Sequence, residues 1–192
     1  MQARTSAGAP LGLADPAAAR LVRLSRAMEW VTTIGIVLIV ALIAAAFLVP
    51  SWTRNLLLTK LGEIGARLPL DSGNQALAAV IIAVPVVVML WGLVNVRALF
   101  AEFARGRVFT AAAATHLQRF GIAVLAQGLL GPVTATALAL ALSLSNPAGQ
   151  RMLVLTFSSN DYVSVIVGGV LIAVAAVMRE ATRLADENAS FV

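Results

Sequence analysis

Residues 76–94 read ALAAVIIAVPVVVMLWGLV, an unbroken apolar run without Asp, Glu, Lys, Arg or His. At about 1.5 Å of rise per residue, a helix of about 20 such residues crosses the ~30 Å hydrocarbon core of a bilayer. Three further stretches of the same kind, 30–49, 120–144 and 162–178, are also uncharged. Lipid offers the backbone no hydrogen-bond partner, so runs like these must close their bonds within helices. The expected fold is all-α: an integral membrane bundle of four transmembrane helices, spans approximately 30–49, 76–94, 120–144 and 162–178. Residues 1–14, small, polar and Gly/Pro-bearing, read as a disordered N-terminal tail. Residues 15–192 read as a single four-helix transmembrane domain.

Composition agrees. Hydrophobic residues make up 60% of the chain and charged ones 12%, about half the charged share of soluble proteins. Cysteine is absent, which excludes a disulfide framework, a thiolate metal site and a thiol nucleophile. The first span is longer than a signal-peptide core, so it reads as a retained helix. The sequence admits either Met1 or Met28 as the start of translation.

The basic residues are distributed unevenly. Arg4, Arg20, Arg23 and Arg26 precede the first span; Arg97, Arg105, Arg107 and Arg119 lie between the second and third; Arg179 and Arg183 follow the fourth. The first loop holds Arg54, Lys60 and Arg67, and the third loop Arg151. Ten of the 14 therefore fall on the side shared by both termini. The positive-inside rule places that side in the cytoplasm, giving a multi-pass, N-in/C-in protein of a plasma membrane. The net charge of +5 is read as headgroup attraction, and no direct nucleic-acid contact is expected, because the arginines are few, dispersed and next to lipid.

The connectors have local signals of their own. Asp15-Pro16 is an N-cap with a first-turn proline, opening a basic amphipathic lead-in to the first span. Loop 51–75 carries Leu56, Leu57, Leu58, Leu61, Ile64 and Leu68, which include approximate helical spacings, and Trp52 as an interface anchor, so a helix on the outer leaflet is expected. Asn146-Pro147-Ala148-Gly149 marks a turn. Inside the spans, Pro85 and Gly131-Pro132 predict kinks. Ala41 and Ala45, Ala135 and Ala139, and Gly169 and Ala173, each pair four apart, predict close helix packing, within the bundle or in a homodimer. Gln127 is the notable intramembrane polar residue. It reads as an interhelical hydrogen bond before a substrate ligand, since no second polar group forms a constellation with it.

Two cytoplasmic segments carry the most specific pattern. After the second span, Leu99, Phe100 and Phe103 form an apolar stripe. Gly106 is placed to end that helix in a left-handed conformation, and Thr110 to cap the next. Beyond the fourth span, Arg179 to Asn188 reads as a charged helical stub in which Glu180, Arg183 and Glu187 can pair. The run Arg97-x-x-Phe100-x-x-Phe103-x-x-Gly106-x-x-Phe109-Thr110, then Leu117-x-x-Phe120-Gly121, resembles the bacterial DUF2975 family of unknown function. So does Arg179-Glu180-x-x-Arg183-Leu184-x-Asp186-Glu187-Asn188. The resemblance spans roughly residues 20–192, and Met178 and Ala181 depart from it mildly, where an aromatic and a glycine are common. It implies a small four-helix membrane protein with no assigned enzymatic role or functional residues. It also implies a regulatory partner, a short helix-turn-helix protein of the Cro/CI type.

No catalytic site is expected. The single histidine, His116, has no sequence companions for metal or acid–base work, so it reads as an interfacial side chain. No cofactor or metal is expected. The favoured function is non-enzymatic: a regulatory or interaction protein whose second loop and C-terminal stub dock a soluble cytoplasmic partner, such as a small DNA-binding regulator. The docking residues would be Arg97, Phe100, Phe103, Arg105, Phe109, Thr110, Arg179, Arg183 and Glu187, although aromatic and basic residues also gather at interfaces merely as anchors. The alternative is a small permease, channel or immunity-type protein acting within the bilayer through the kinked spans and Gln127.

Overall fold

The computed structural model describes residues 16–48, 72–143 and 157–190. The described residues form four helices: α1 (Pro16–Leu48), α2 (Ser72–Ala104), α3 (Ala111–Ser143) and α4 (Ser159–Ser190). All four are long and apolar enough to cross a membrane. The tail 1–14, the surface helix expected in 51–75 and the turn expected at 146–149 lie outside the described residues.

The helices outrun the apolar stretches that predicted them. Helices of 32 or 33 residues are about 50 Å long, against a hydrocarbon core of ~30 Å. Most of the excess lies at one end: α1 before Trp30, α2 after Val94, α3 before Phe120 and α4 after Met178. Pro85 and Pro132 sit inside α2 and α3, and both helices continue through them. Neighbouring helices and Ser/Thr side chains can re-satisfy backbone groups around such prolines. Thr136, which donates to the Pro132 carbonyl at 2.8 Å, adds a side-chain bond at the second proline.

The helices pack in chain order, α1 on α2, α2 on α3, and α3 on α4. Among the described residues, no Cα pair within 8 Å links α1 to α3 or α4, or α2 to α4. Neighbours are antiparallel, as the pairings show. Asn95 meets His116 while Pro85 meets Gln127. Gln118 meets Arg179, Gly121 meets Ile172, and Gly128 meets Val165. Arg97 reaches back to Thr33 on α1.

Small side chains fill the contacts and large ones face outward. The buried apolar residues are Ala78, Leu99, Ala113, Ala114, Ala123, Leu138, Ala141 and Ala175. Trp30, Val37, Val87 and Val177 are all more than 60% exposed. This inverts the soluble pattern because lipid tails are as apolar as a valine, so association depends on close backbone approach. Glycine allows the closest approach. A Cβ on Gly168 would lie 2.5 Å from the Leu125 backbone nitrogen, and one on Gly128 would lie 2.8 Å from Val165. Gly169 and Ala173 do not make the expected contact within the bundle: Gly169 has open space around it and Ala173 is exposed. The contact belongs to the preceding residue, about 100° round the helix.

Adjacent glycines should therefore respond oppositely. Gly168→Val should destabilise the detergent-solubilised protein by about 1–3 kcal/mol through overpacking against Leu125. Gly169→Ala should be neutral or stabilising by up to ~1 kcal/mol, since it removes a flexible helix position without a clash. Denaturation of the two variants in mixed micelles checks both.

Candidate functional site

The antiparallel register collects charge at one end of the bundle. Every described arginine (Arg20, Arg23, Arg26, Arg97, Arg105, Arg107, Arg119, Arg179 and Arg183) lies at the end formed by the N-termini of α1 and α3 and the C-termini of α2 and α4. Glu29, Glu102, Glu180, Asp186 and Glu187 lie there as well. Among the described residues, Asp161 is the single charged side chain at the opposite end. There Ser158 and Asp161 form a reciprocal capping box on α4: the Ser158 amide donates to Asp161 Oδ2 at 2.9 Å, and the Asn160 amide donates to Ser158 Oγ at 3.2 Å.

The turn from α2 to α3 is tightly specified. Gly106 has φ of +76°, a left-handed conformation that a residue without Cβ adopts at little cost. Its amide donates to Phe103 O at 3.0 Å, and the Arg107 amide donates to Glu102 O at 3.1 Å. These two bonds make a Schellman C-cap. Thr110 caps α3, its Oγ1 accepting from the Ala113 amide at 3.2 Å. The Glu102 carboxylate, mostly buried, is held between Arg105 at 3.0 Å and Arg107 at 2.7 Å. Both caps and this ion triad fix the six-residue bend, which leaves Phe109 74% exposed at its tip.

The expected docking residues thus divide. Arg97 is an interhelical tie: its Nε donates to Thr33 Oγ1 at 2.9 Å, and its guanidinium stands 3.7 Å from Glu29. Phe100 and Phe103 are half-buried and pack edge to face, with ring centroids 6.4 Å apart. Arg105 and Thr110 build the turn. Arg179 donates to Gln118 of α3, joining the stub to the bundle. Arg183 lies between Glu180 at 2.7 Å and Glu187 at 3.6 Å. The α3–α4 register carries the stub past the start of α3, where Leu184, 49% exposed, stands about level with Phe109. Phe109 and Leu184 are among the apolar side chains exposed at this end, with Leu21 and Leu24 of α1.

Deeper in the bundle, polar groups pair across helices. Gln127 donates to the Pro85 carbonyl at 2.5 Å, the interhelical bond expected of it. Asn95, 5% exposed, donates to Trp91 O at 2.9 Å, and its Oδ1 lies 3.2 Å from His116 Nδ1. This pair escaped the sequence reading, because Asn95 sits at the very edge of an apolar run. Ser25 and Thr32, buried on α1, were also missed. Among the described residues no three metal-ligating side chains cluster, and no buried polar side-chain atom lacks a partner.

Residues 45–192 match a family described as "Protein of unknown function (DUF2975)", and the chain belongs to that family. No curated protein and no solved structure matches it.

The two polar ties should be measurable separately. Gln127→Leu should cost about 0.5–2 kcal/mol of stability in detergent. A double-mutant cycle between Asn95→Ala and His116→Ala should return a coupling of about 0.5–1.5 kcal/mol. A coupling near zero would show that the contact contributes nothing to α2–α3 packing.

Proposed function

We propose that this DUF2975 membrane protein is a non-enzymatic docking protein whose arginine-rich end receives a soluble partner. The supporting observation is Phe109. Both helix caps and the Glu102 triad hold the turn in one shape, yet its aromatic tip contributes little to the fold. An anchor in the headgroups would account for an exposed aromatic at the depth of Trp30. Phe109 stands further out, since α2 continues more than a turn past the residues level with Trp30 before reaching the bend. At about the same height, Leu184 and Arg183 of α4 supply a second exposed apolar group and a charge, the composition of a small recognition patch.

The partner class that best fits is a small cytoplasmic regulator of helix-turn-helix type, the class implied by the family resemblance. The arginine bias supports a plasma-membrane orientation with this end in the cytoplasm. Action within the bilayer is the second reading, and it draws on Pro85, Pro132 and Gln127. The Gln127 amide already serves the Pro85 carbonyl, so less of it is left to coordinate a solute.

Affinity purification from native membranes in mild detergent, with mass spectrometry, tests the docking reading. A soluble regulator should co-purify with the wild type. Phe109→Ala combined with Leu184→Ala should lose it by at least about tenfold while insertion and monodispersity are retained, as expected where two hot-spot side chains go. Equal recovery with the variant would sink the proposal. Orientation is testable directly because the chain has no cysteine. Single cysteines at Arg20 and Asp186 should react with an impermeant maleimide only when the cytoplasmic face is accessible.

A further inference from the structure

The arginines at the charged end form two sets. Arg97, Arg105, Arg107 and Arg183 each face a carboxylate, and Arg179 is bonded to Gln118. Arg20, Arg23, Arg26 and Arg119 have no acidic partner among the described residues. The Arg23 Nε turns back to the carbonyl of Ala19 at 3.4 Å. The acids thus neutralise the arginines that join helices or shape turns, and the positive surplus resides in the second set.

Three of that second set, Arg23, Arg26 and Arg119, stand on exposed stripes that continue along the apolar spans. On α3, the exposed positions Arg119, Ile122, Leu129, Val133 and Leu140 recur at helical spacing, with Arg119 at the outer end. On α1, Arg23 and Arg26 share a face with Trp30, Ile34 and Val37, all exposed. Trp30 is the interfacial marker, and Arg26 and Arg23 lie about one and two turns outward from it. Arg119 is the deepest charge at this end: Gly92 and Ile172, which meet its neighbours Phe120, Ala123 and Gly121, both belong to uncharged stretches. Because α3 starts at the charged end, the Cα–Cβ bond of Arg119 tilts back toward that end. Its methylene stem can cover apolar surface while the guanidinium rises to the phosphate layer.

We propose that Arg20, Arg23 and Arg26 on α1, and separately Arg119 on α3, bind the headgroups of anionic phospholipids in the leaflet at this end. The occupant is set by charge complementarity: four guanidinium groups that face no carboxylate among the described residues, placed around the interface level and outward, meet phosphodiesters carrying net negative charge. The arginine fork suits phosphate oxygens in two-point contacts. Each arginine near an anionic surface strengthens the attraction about fivefold. The inference is independent of the docking reading, since it uses different side chains.

Native mass spectrometry of the full-length protein, purified in detergent with added lipid, provides the test. Phosphatidylglycerol should be retained in preference to phosphatidylcholine, and raising the salt should erode only the former. Arg119→Gln should weaken phosphatidylglycerol retention about fivefold, and the triple change Arg20→Gln, Arg23→Gln, Arg26→Gln should abolish most of the preference. Arg183→Gln, which removes an arginine already paired with acids, should leave it unchanged. Equal retention of both lipids by the wild type, or an equal loss in Arg183→Gln and Arg119→Gln, overturns the proposal. Displacement by free glycerol phosphate would assign these arginines to soluble phosphate and overturn it as well. If the triple variant does not yield a helical, monodisperse protein, the single Arg119→Gln change and the salt dependence of the wild type decide the matter.

Discussion

A peptide group in hydrocarbon has no water to bond, and most features of this protein follow from that absence. It forces the spans into helices, and it makes burial of large apolar side chains pointless, since lipid welcomes them equally. Packing therefore relies on alanine and glycine, with Gly128 and Gly168 bringing α3 and α4 to near backbone contact. The few polar side chains in the spans must find protein partners. Gln127 takes the Pro85 carbonyl, and Asn95 takes Trp91 and His116. Each such bond also fixes the register of its helix pair, so a lone polar group does structural duty that several core residues share in a soluble protein.

Register has a second consequence. Because successive helices are antiparallel and their excess length lies mainly at one end, charges scattered through the sequence become one charged face. Within that face, carboxylates are few and are used where geometry must be held. Glu102 fixes the α2–α3 bend, Glu29 ties α1 to α2, and Glu180 and Glu187 hold Arg183 along the stub. What is left exposed is an aromatic tip on the turn, an apolar residue level with it, and a set of arginines with no acidic partner among the described residues. These are different chemistries, and the docking and lipid-binding proposals rest on different side chains.

Local signals in the sequence were reliable where a few neighbouring residues settle the energy. Gly106 ends α2 in the left-handed region and Thr110 caps α3, because each cap is completed within one turn. The Glu180–Arg183–Glu187 ladder forms for the same reason. The Ser158–Asp161 capping box was equally local and equally readable, though it escaped notice beside the apolar run that follows. Signals failed where two helices must be placed against each other. Gly169 and Ala173 have the spacing of a packing motif, yet Gly168 makes the contact, and spacing alone cannot tell which face of α4 turns toward α3. Arg97 looked like a free docking group until α1 brought Glu29 and Thr33 to it.

The sequence by itself determined that four helices are long and apolar enough to cross a membrane, where the second connector turns, and that basic residues favour one side, since hydropathy, capping and charge count are properties of short segments. Only the tertiary structure decided which polar side chains meet, which arginines are neutralised, and which residue of an adjacent glycine pair admits a neighbour. Those outcomes depend on interhelical register and rotation. A change of one residue turns a helical position by about 100° and exchanges a contact for open lipid, while the composition of the helix stays the same.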